Sequence, residues 1–106
     1  MRPSAPPREV AATEAQQLVD DGALLLDVRE DVEWQAGHAP QATHLPMSRI
    51  GASVDQLPTD RLIVCVCHVG ARSAAVAEAL NNAGYTAANL AGGMDAWQAA
   101  GLPVVR

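Results

Sequence analysis

Lysine is missing from all 106 residues, cysteine occurs only at Cys65 and Cys67, and no apolar run approaches the ~20 residues that span a membrane. Without lysine there is no lysine Schiff base and no Walker-type phosphate lysine. The two cysteines lie one residue apart, too close for a disulfide that would staple a secreted scaffold. Cys65, Cys67 and His68 match no common zinc spacing and a fourth ligand is not evident, so no metal is expected. Residues 1–7 lack the apolar stretch of a signal peptide and contain three prolines, which predicts a mobile leader, a single domain over 8–106 and a cytoplasmic location.

What is present is ordinary globular composition, 49% hydrophobic and 18% charged, enough for one real core. Twelve acidic residues against seven arginines leave a net charge of −5, which argues against nucleic-acid binding. The arginine and alanine bias fits a GC-rich bacterial coding sequence. Anion binding must fall to arginines and protonated histidines.

The fold is expected to begin near Glu9. Thr13-Glu-Ala-Gln16 has capping-box form and predicts a short helix through about Val19, which Asp20-Asp-Gly22 stops. Ala23 to Val28 is an apolar run interrupted by Asp27 and reads as a central parallel strand. A helix over 30–36, a turn over 37–40, a strand over 43–45 and a helical or irregular stretch over 47–54 follow. Arg61 to Cys67 reads as a strand, and Ala74, Ala77, Leu80 and Ala83 as the buried stripe of a helix that Gly84 ends. Thr86 to Leu90 is a further strand and Met94 to Ala100 a last helix. Alternation of this kind implies an α/β fold with a parallel sheet and helices on both faces.

The junction at Cys67 is the candidate active site. A thiol at the carboxyl end of a strand faces loop amides and the amino end of the next helix, where partial positive charge favours the thiolate. Gly70 permits the turn that aims those amides inward, Arg72 offers a planar fork for an anionic oxygen group, and Ser73 stands at the helix start. Asp27 and Arg29 end a neighbouring strand and are expected to support the loop. Cys65 reads as a packed strand residue rather than a resolving thiol, His38 and His44 as hydrogen-bonding turn residues, Trp34 and Trp97 as core anchors, and Gly92-Gly93 as a tight turn rather than a phosphate site.

From about Glu9 to Val105 the chain resembles the single-domain rhodaneses, a group of sulfurtransferases. The resemblance rests on Leu26-Asp-Val-Arg-Glu30, Glu33-Trp34 with Gly37-His38 and Ala42, Cys67-His-Val-Gly-Ala-Arg-Ser73, Leu90-Ala-Gly-Gly93 with Trp97, and Gly101-Leu-Pro-Val104. It implies the rhodanese-like fold, a five-stranded parallel sheet flanked by helices, with Cys67 as the catalytic residue. The thiolate would take the outer sulfur of a donor such as thiosulfate, hold it as a persulfide, and pass it to cyanide or a thiol without any cofactor. The loop residues His68, Val69, Gly70, Ala71, Arg72 and Ser73 would form the substrate-binding cradle. Two departures stand out: His68 replaces the arginine that commonly follows the cysteine, and Gln41 replaces a glycine after Pro40. The first weakens attraction for a dianionic donor at high pH and keeps open a second reading, a persulfide carrier or partner-binding module fed by a sulfur-relay protein. Four residues separate Cys67 from Arg72, whereas the phosphatases and arsenate reductases that resemble rhodaneses use five, so phosphate chemistry is disfavoured. The expected partners are small sulfur donors and acceptors, with no nucleic acid or membrane, and the expected state is a monomer.

Overall fold

The computed structural model describes residues 5–106. The expected leader lies largely outside the described residues. Strand β1 (Arg8–Val10) leads into α1 (Ala12–Asp20), β2 (Leu24–Asp27), α2 (Asp31–Ala36) and β3 (Thr43–His44). A 3-10 turn, a short helix α3 (Ile50–Ser53) and a second 3-10 turn connect to β4 (Ile63–Val66), α4 (Ala71–Asn82), β5 (Ala87–Leu90) and α5 (Gly93–Ala99). Among the described residues no helix is long and apolar enough to cross a membrane.

The five strands pair in parallel in the order β1-β5-β4-β2-β3, which bears out the expected sheet. Connections from β2 and β4, which are neighbours, leave toward opposite edges. Such a reversal opens a crevice at the carboxyl ends of the strands, where ligands bind in open α/β sheets. Cys67 follows β4 into that crevice.

Strand alternation sorts the core into two layers. Val64, Val66, Leu25, Ala88 and Leu90 face α1 and α5, whose Ala15, Met94 and Trp97 cover them. Ile63, Cys65, Cys67, Leu26 and Ala87 face α4 and the α3 region, against Val76, Ala77, Leu80 and Ile50. Trp97 is fully buried and its indole N–H donates to the Pro103 carbonyl at 2.8 Å, so the core absorbs both its ring and its polar edge. The tail returns further, pairing Val105 with His38 in an antiparallel bridge.

Several expectations need correction. β1 was not foreseen as an element: three residues are too few for periodicity, and the strand exists because β5 pairs with it. The Thr13 cap does not form. Extended pairing carries the chain through Val10, so the helix starts at Ala12 behind an extended Ala11, with Thr13 already inside the first turn. A capping box does occur at α2, where Glu30 and Glu33 satisfy each other's backbone amides. The α4 stripe is Ser73, Val76, Ala77 and Leu80, with Ala83 exposed, because Ser73 is held down against the sheet. Trp34 is no core anchor; it is half-buried between the rings of His38 and His44, stacked at 3.5 and 4.5 Å between centroids.

Trp97→Ala removes the largest side chain of the first layer and should cost about 3–5 kcal/mol of unfolding free energy. Urea denaturation of the variant checks this, and a loss under about 1 kcal/mol would show that α5 is not anchored through Trp97.

Candidate active site

β4 ends at Val66, one residue before the expected boundary, because the Cys67 carbonyl is taken from the sheet by α5. The first free amides of α5 donate into the loop: Met94 N–H to the Cys67 carbonyl at 2.7 Å, and Asp95 N–H to the His68 carbonyl at 3.1 Å. Gly93 makes this approach possible. A Cβ there would lie 2.3 Å from the Cys67 carbonyl oxygen, and its φ of +59° also favours glycine.

With those carbonyls anchored outward, the amides that follow turn inward. Gly70 N–H donates to Cys67 Sγ at 3.1 Å, and Ser73 supplies its N–H at 3.4 Å and stands with its hydroxyl at 3.2 Å. Gly70 adopts φ +110°, a left-handed conformation that closes the turn at the amino end of α4. The Cys67 residue is 1% exposed. Burial pushes its thiol up, yet the amides of Ser73, Gly70 and Arg72, with the Ser73 hydroxyl as a donor to the thiolate once it forms, outweigh it and hold the thiol below its ordinary value. Among the described residues no such donors reach Cys65 Sγ. Burial and the neighbouring Cys67 push its thiol up to about 12, so it stays protonated and packs.

The two loop side chains expected to bind anions are both engaged. Arg72 forms a two-pronged pair with Glu33, Nη1 to Oε1 at 2.6 Å and Nη2 to Oε2 at 2.7 Å. His68 Nε2 lies 3.0 Å from Asp95 Oδ1, both side chains being more than half exposed. Of the other loop residues, Val69 is 58% exposed and Ala71 is exposed, so they offer backbone and surface rather than contacts to Sγ.

Asp27 and Arg29 form a buried pair at 2.9 Å, with Arg29 also donating to the Gly37 carbonyl at 2.7 Å. They brace the turn after α2, while Arg29 also lines a cavity of about 240 Å³ with Glu33, His68, Asp95 and Arg106. His38 Nδ1–H donates to the Trp34 carbonyl and His44 Nε2–H to the Arg29 carbonyl, each as an expected turn or strand-end contact.

Sequence reasoning had no role for Glu33, Asp95, Glu9 or Asn89. The signal for Asn89 was present, a single amide inside the apolar run Ala87-Ala-Asn-Leu90. Asn89 is 2% exposed, and its side chain reaches Ser73, Gly70 and Glu9.

The model of the rhodanese-like domain matches residues 11–100. A sulfurtransferase of Allochromatium vinosum is 40% identical over 93 residues, spanning 86% of this chain and 87% of that protein. A Mycobacterium tuberculosis protein named "Probable adenylyltransferase/sulfurtransferase MoeZ" is 38% identical over 93 residues, 83% of this chain but 24% of the larger protein. The crystal structure of a rhodanese-related protein from Thermoplasma volcanium superposes with a TM-score of 0.86 at 30% identity, covering 92% of this chain and 97% of that one. The family match over most of the chain and relatives of this identity and coverage settle the matter: the chain belongs to the rhodanese-like domain family, whose relatives here are named sulfurtransferases.

Proposed function

We propose that the protein transfers a sulfane sulfur from a donor such as thiosulfate to cyanide or a thiol through a persulfide on Cys67. The convergence of the Gly70 and Ser73 amides on Cys67 Sγ carries this reading. Preorganised N–H groups favour the thiolate before attack and give an anionic sulfur a hydrogen-bonded seat afterwards. The thiolate attacks the outer sulfur of thiosulfate, a new S–S bond forms at Sγ, and sulfite leaves with the electron pair of the broken S–S bond. An acceptor lone pair then attacks the outer persulfide sulfur, and the thiolate of Cys67 departs, ready for a second cycle. No cofactor enters either half-reaction. A reducing cytoplasmic setting suits two free thiols.

In this scheme Val69, Gly70 and Ala71 contribute loop backbone, and His68 and Arg72 shape the electrostatics. Asp27 and Arg29 hold the neighbouring strand end. The cavity lined by Arg29, Glu33, His68, Asp95 and Arg106 is the approach we assign to the donor.

One observation favours the second reading, a persulfide carrier that accepts sulfur from a protein. Arg72 is paired to the Glu33 carboxylate and the His68 ring faces the Asp95 carboxylate, so a small dianion gains little from formal charge. A protein persulfide brings less charge and more contact area. Likeness to one part of a larger adenylyltransferase/sulfurtransferase supports such a relay.

Steady-state transfer from thiosulfate to cyanide, with intact mass, separates the readings. Cys67→Ala should reduce both turnover and the sulfur adduct to background while its circular dichroism stays that of the wild type; turnover at the wild-type rate would remove Cys67 from the mechanism. An adduct without turnover in the wild type selects the carrier.

The Arg72 hydrogen bonds hold the Glu33 carboxyl down at about 2, from an ordinary value of 4.5. A depressed folded-state pKa stabilises above the unfolded value and loses that contribution as pH falls through the folded one. The melting-temperature gap between wild type and Glu33→Gln should therefore be widest above pH 4.5 and close as pH approaches about 2. With the two side chains 37% and 31% exposed, solvent screening limits the gap to on the order of 1 kcal/mol. A gap constant across that range would show that the ion pair does not contribute. Glu33→Gln should also release Arg72 and lower the KM for thiosulfate severalfold.

A further inference from the structure

Asn89 is a polar side chain 2% exposed within an apolar strand. Burying an amide is costly unless its donors and acceptor are met, so its partners define its orientation. Its Nδ2 donates to the Gly70 carbonyl at 3.1 Å and to the carboxylate of Glu9, its direct neighbour on β1, at 3.0 and 3.1 Å. A carbonyl and a carboxylate both require the NH₂ side, and both amide protons are used. Oδ1, which can only accept, is thereby turned onto Ser73 Oγ at 2.5 Å.

The Ser73 hydroxyl has one proton and three acceptors near it: Asn89 Oδ1 at 2.5 Å, Cys67 Sγ at 3.2 Å and the Gly70 carbonyl at 3.4 Å. The short contact to an oxygen that cannot donate claims that proton. Ser73 then presents a lone pair to Cys67 and accepts from its S–H. When the thiolate forms, the hydroxyl must swing to the sulfur and leave Asn89 Oδ1 buried and unpaired, which costs free energy.

We propose that Asn89, oriented by Glu9, is a positioning residue that sets the direction of the Ser73–Cys67 hydrogen bond. It restrains the acidity that the loop amides confer. The restraint suits attack on sulfur, because thiolate nucleophilicity falls as the thiol becomes more acidic. This inference rests on Cys67 being the reacting thiol of the sulfur-transfer reading, whatever its donor. Other titratable or charged groups around Cys67 are Arg72 on α4 with its partner Glu33 on α2, Cys65 on β4, and the exposed His68 and Asp95 pair. None of these touches Asn89 in the hydrogen bonds described; its links to the loop around Cys67 are Ser73 Oγ and the Gly70 carbonyl, and the double variant below tells the two routes apart.

The test is the pH dependence of Cys67 alkylation by iodoacetamide, scored by intact mass, in the full chain. Cys65, buried and pushed up to about 12, stays silent near neutrality. Asn89→Ala frees the hydroxyl for the thiolate and should move the midpoint to lower pH. On the acid limb, tenfold more thiolate against weaker intrinsic nucleophilicity gives about threefold faster alkylation. Ser73→Ala should move the midpoint the other way, and Asn89→Ala/Ser73→Ala should match Ser73→Ala alone. An Asn89→Ala midpoint at or above that of the wild type overturns the proposal, as does a downward shift that survives without Ser73. Should Asn89→Ala not fold, Glu9→Ala decides: its exposed site on the edge strand spares the core, and an unmoved midpoint overturns the proposal while a smaller downward shift supports it. Sulfur transfer is scored separately, so its absence in the wild type counts against the sulfurtransferase reading, and the alkylation midpoints judge Asn89.

Discussion

Two carbonyl oxygens, those of Cys67 and His68, govern the geometry of everything around the Cys67 sulfur. Left to itself, a strand ending in the crevice would scatter its peptide groups toward solvent. The opening amides of α5 seize these two oxygens instead, and Gly93 has no side chain to keep the backbones apart. Once the carbonyls point to α5, the peptide planes that follow have little choice. Gly70 reverses the chain, and the amides of Gly70, Arg72 and Ser73 face the sulfur. The last connection of the fold thus determines the chemistry of an earlier loop, and α5 keeps its place through Trp97.

This arrangement stabilises negative sulfur with dipoles rather than with formal charge. Glu33 pairs with the guanidinium of Arg72 and raises it further, and the Asp95 carboxylate stands against His68. Dipoles fixed by a helix and a turn need no reorganisation when charge develops beside them. The ion pairs serve another purpose: Arg72 joins α4 to α2 across the mouth of the crevice.

The parts of this picture that were legible in the sequence are those with a local signature. β2 and β4 show as apolar runs bounded by turn residues, Gly84 marks the end of α4, and Cys67 stands where strand pattern gives way to Gly, Arg and Ser. What escaped depends on distant pairing. β1 has no periodicity of its own, the cap at Thr13 was displaced by that pairing, and Trp34 and Trp97 look alike until the histidines on either side of Trp34 are located. The orientation of Arg72 was likewise invisible, since its partner Glu33 lies on another helix. Asn89 was visible as an anomaly, a polar residue in a strand, but its meaning required Ser73 and Glu9 to be brought beside it.

Pairing β1 with β5 also has a consequence for the order of assembly. Glu9 and Asn89 meet across 80 residues, so β1 must wait for a strand made long after it. Until β5 emerges, β4 has an unpaired edge and Val10 has no layer to enter. Long-range parallel pairing of this kind slows folding, because loop closure is paid for in entropy before any contact repays it. Between the making of β4 and that of β5 the growing chain therefore carries an open, apolar sheet edge, and the cradle around Cys67 is completed only when that edge closes.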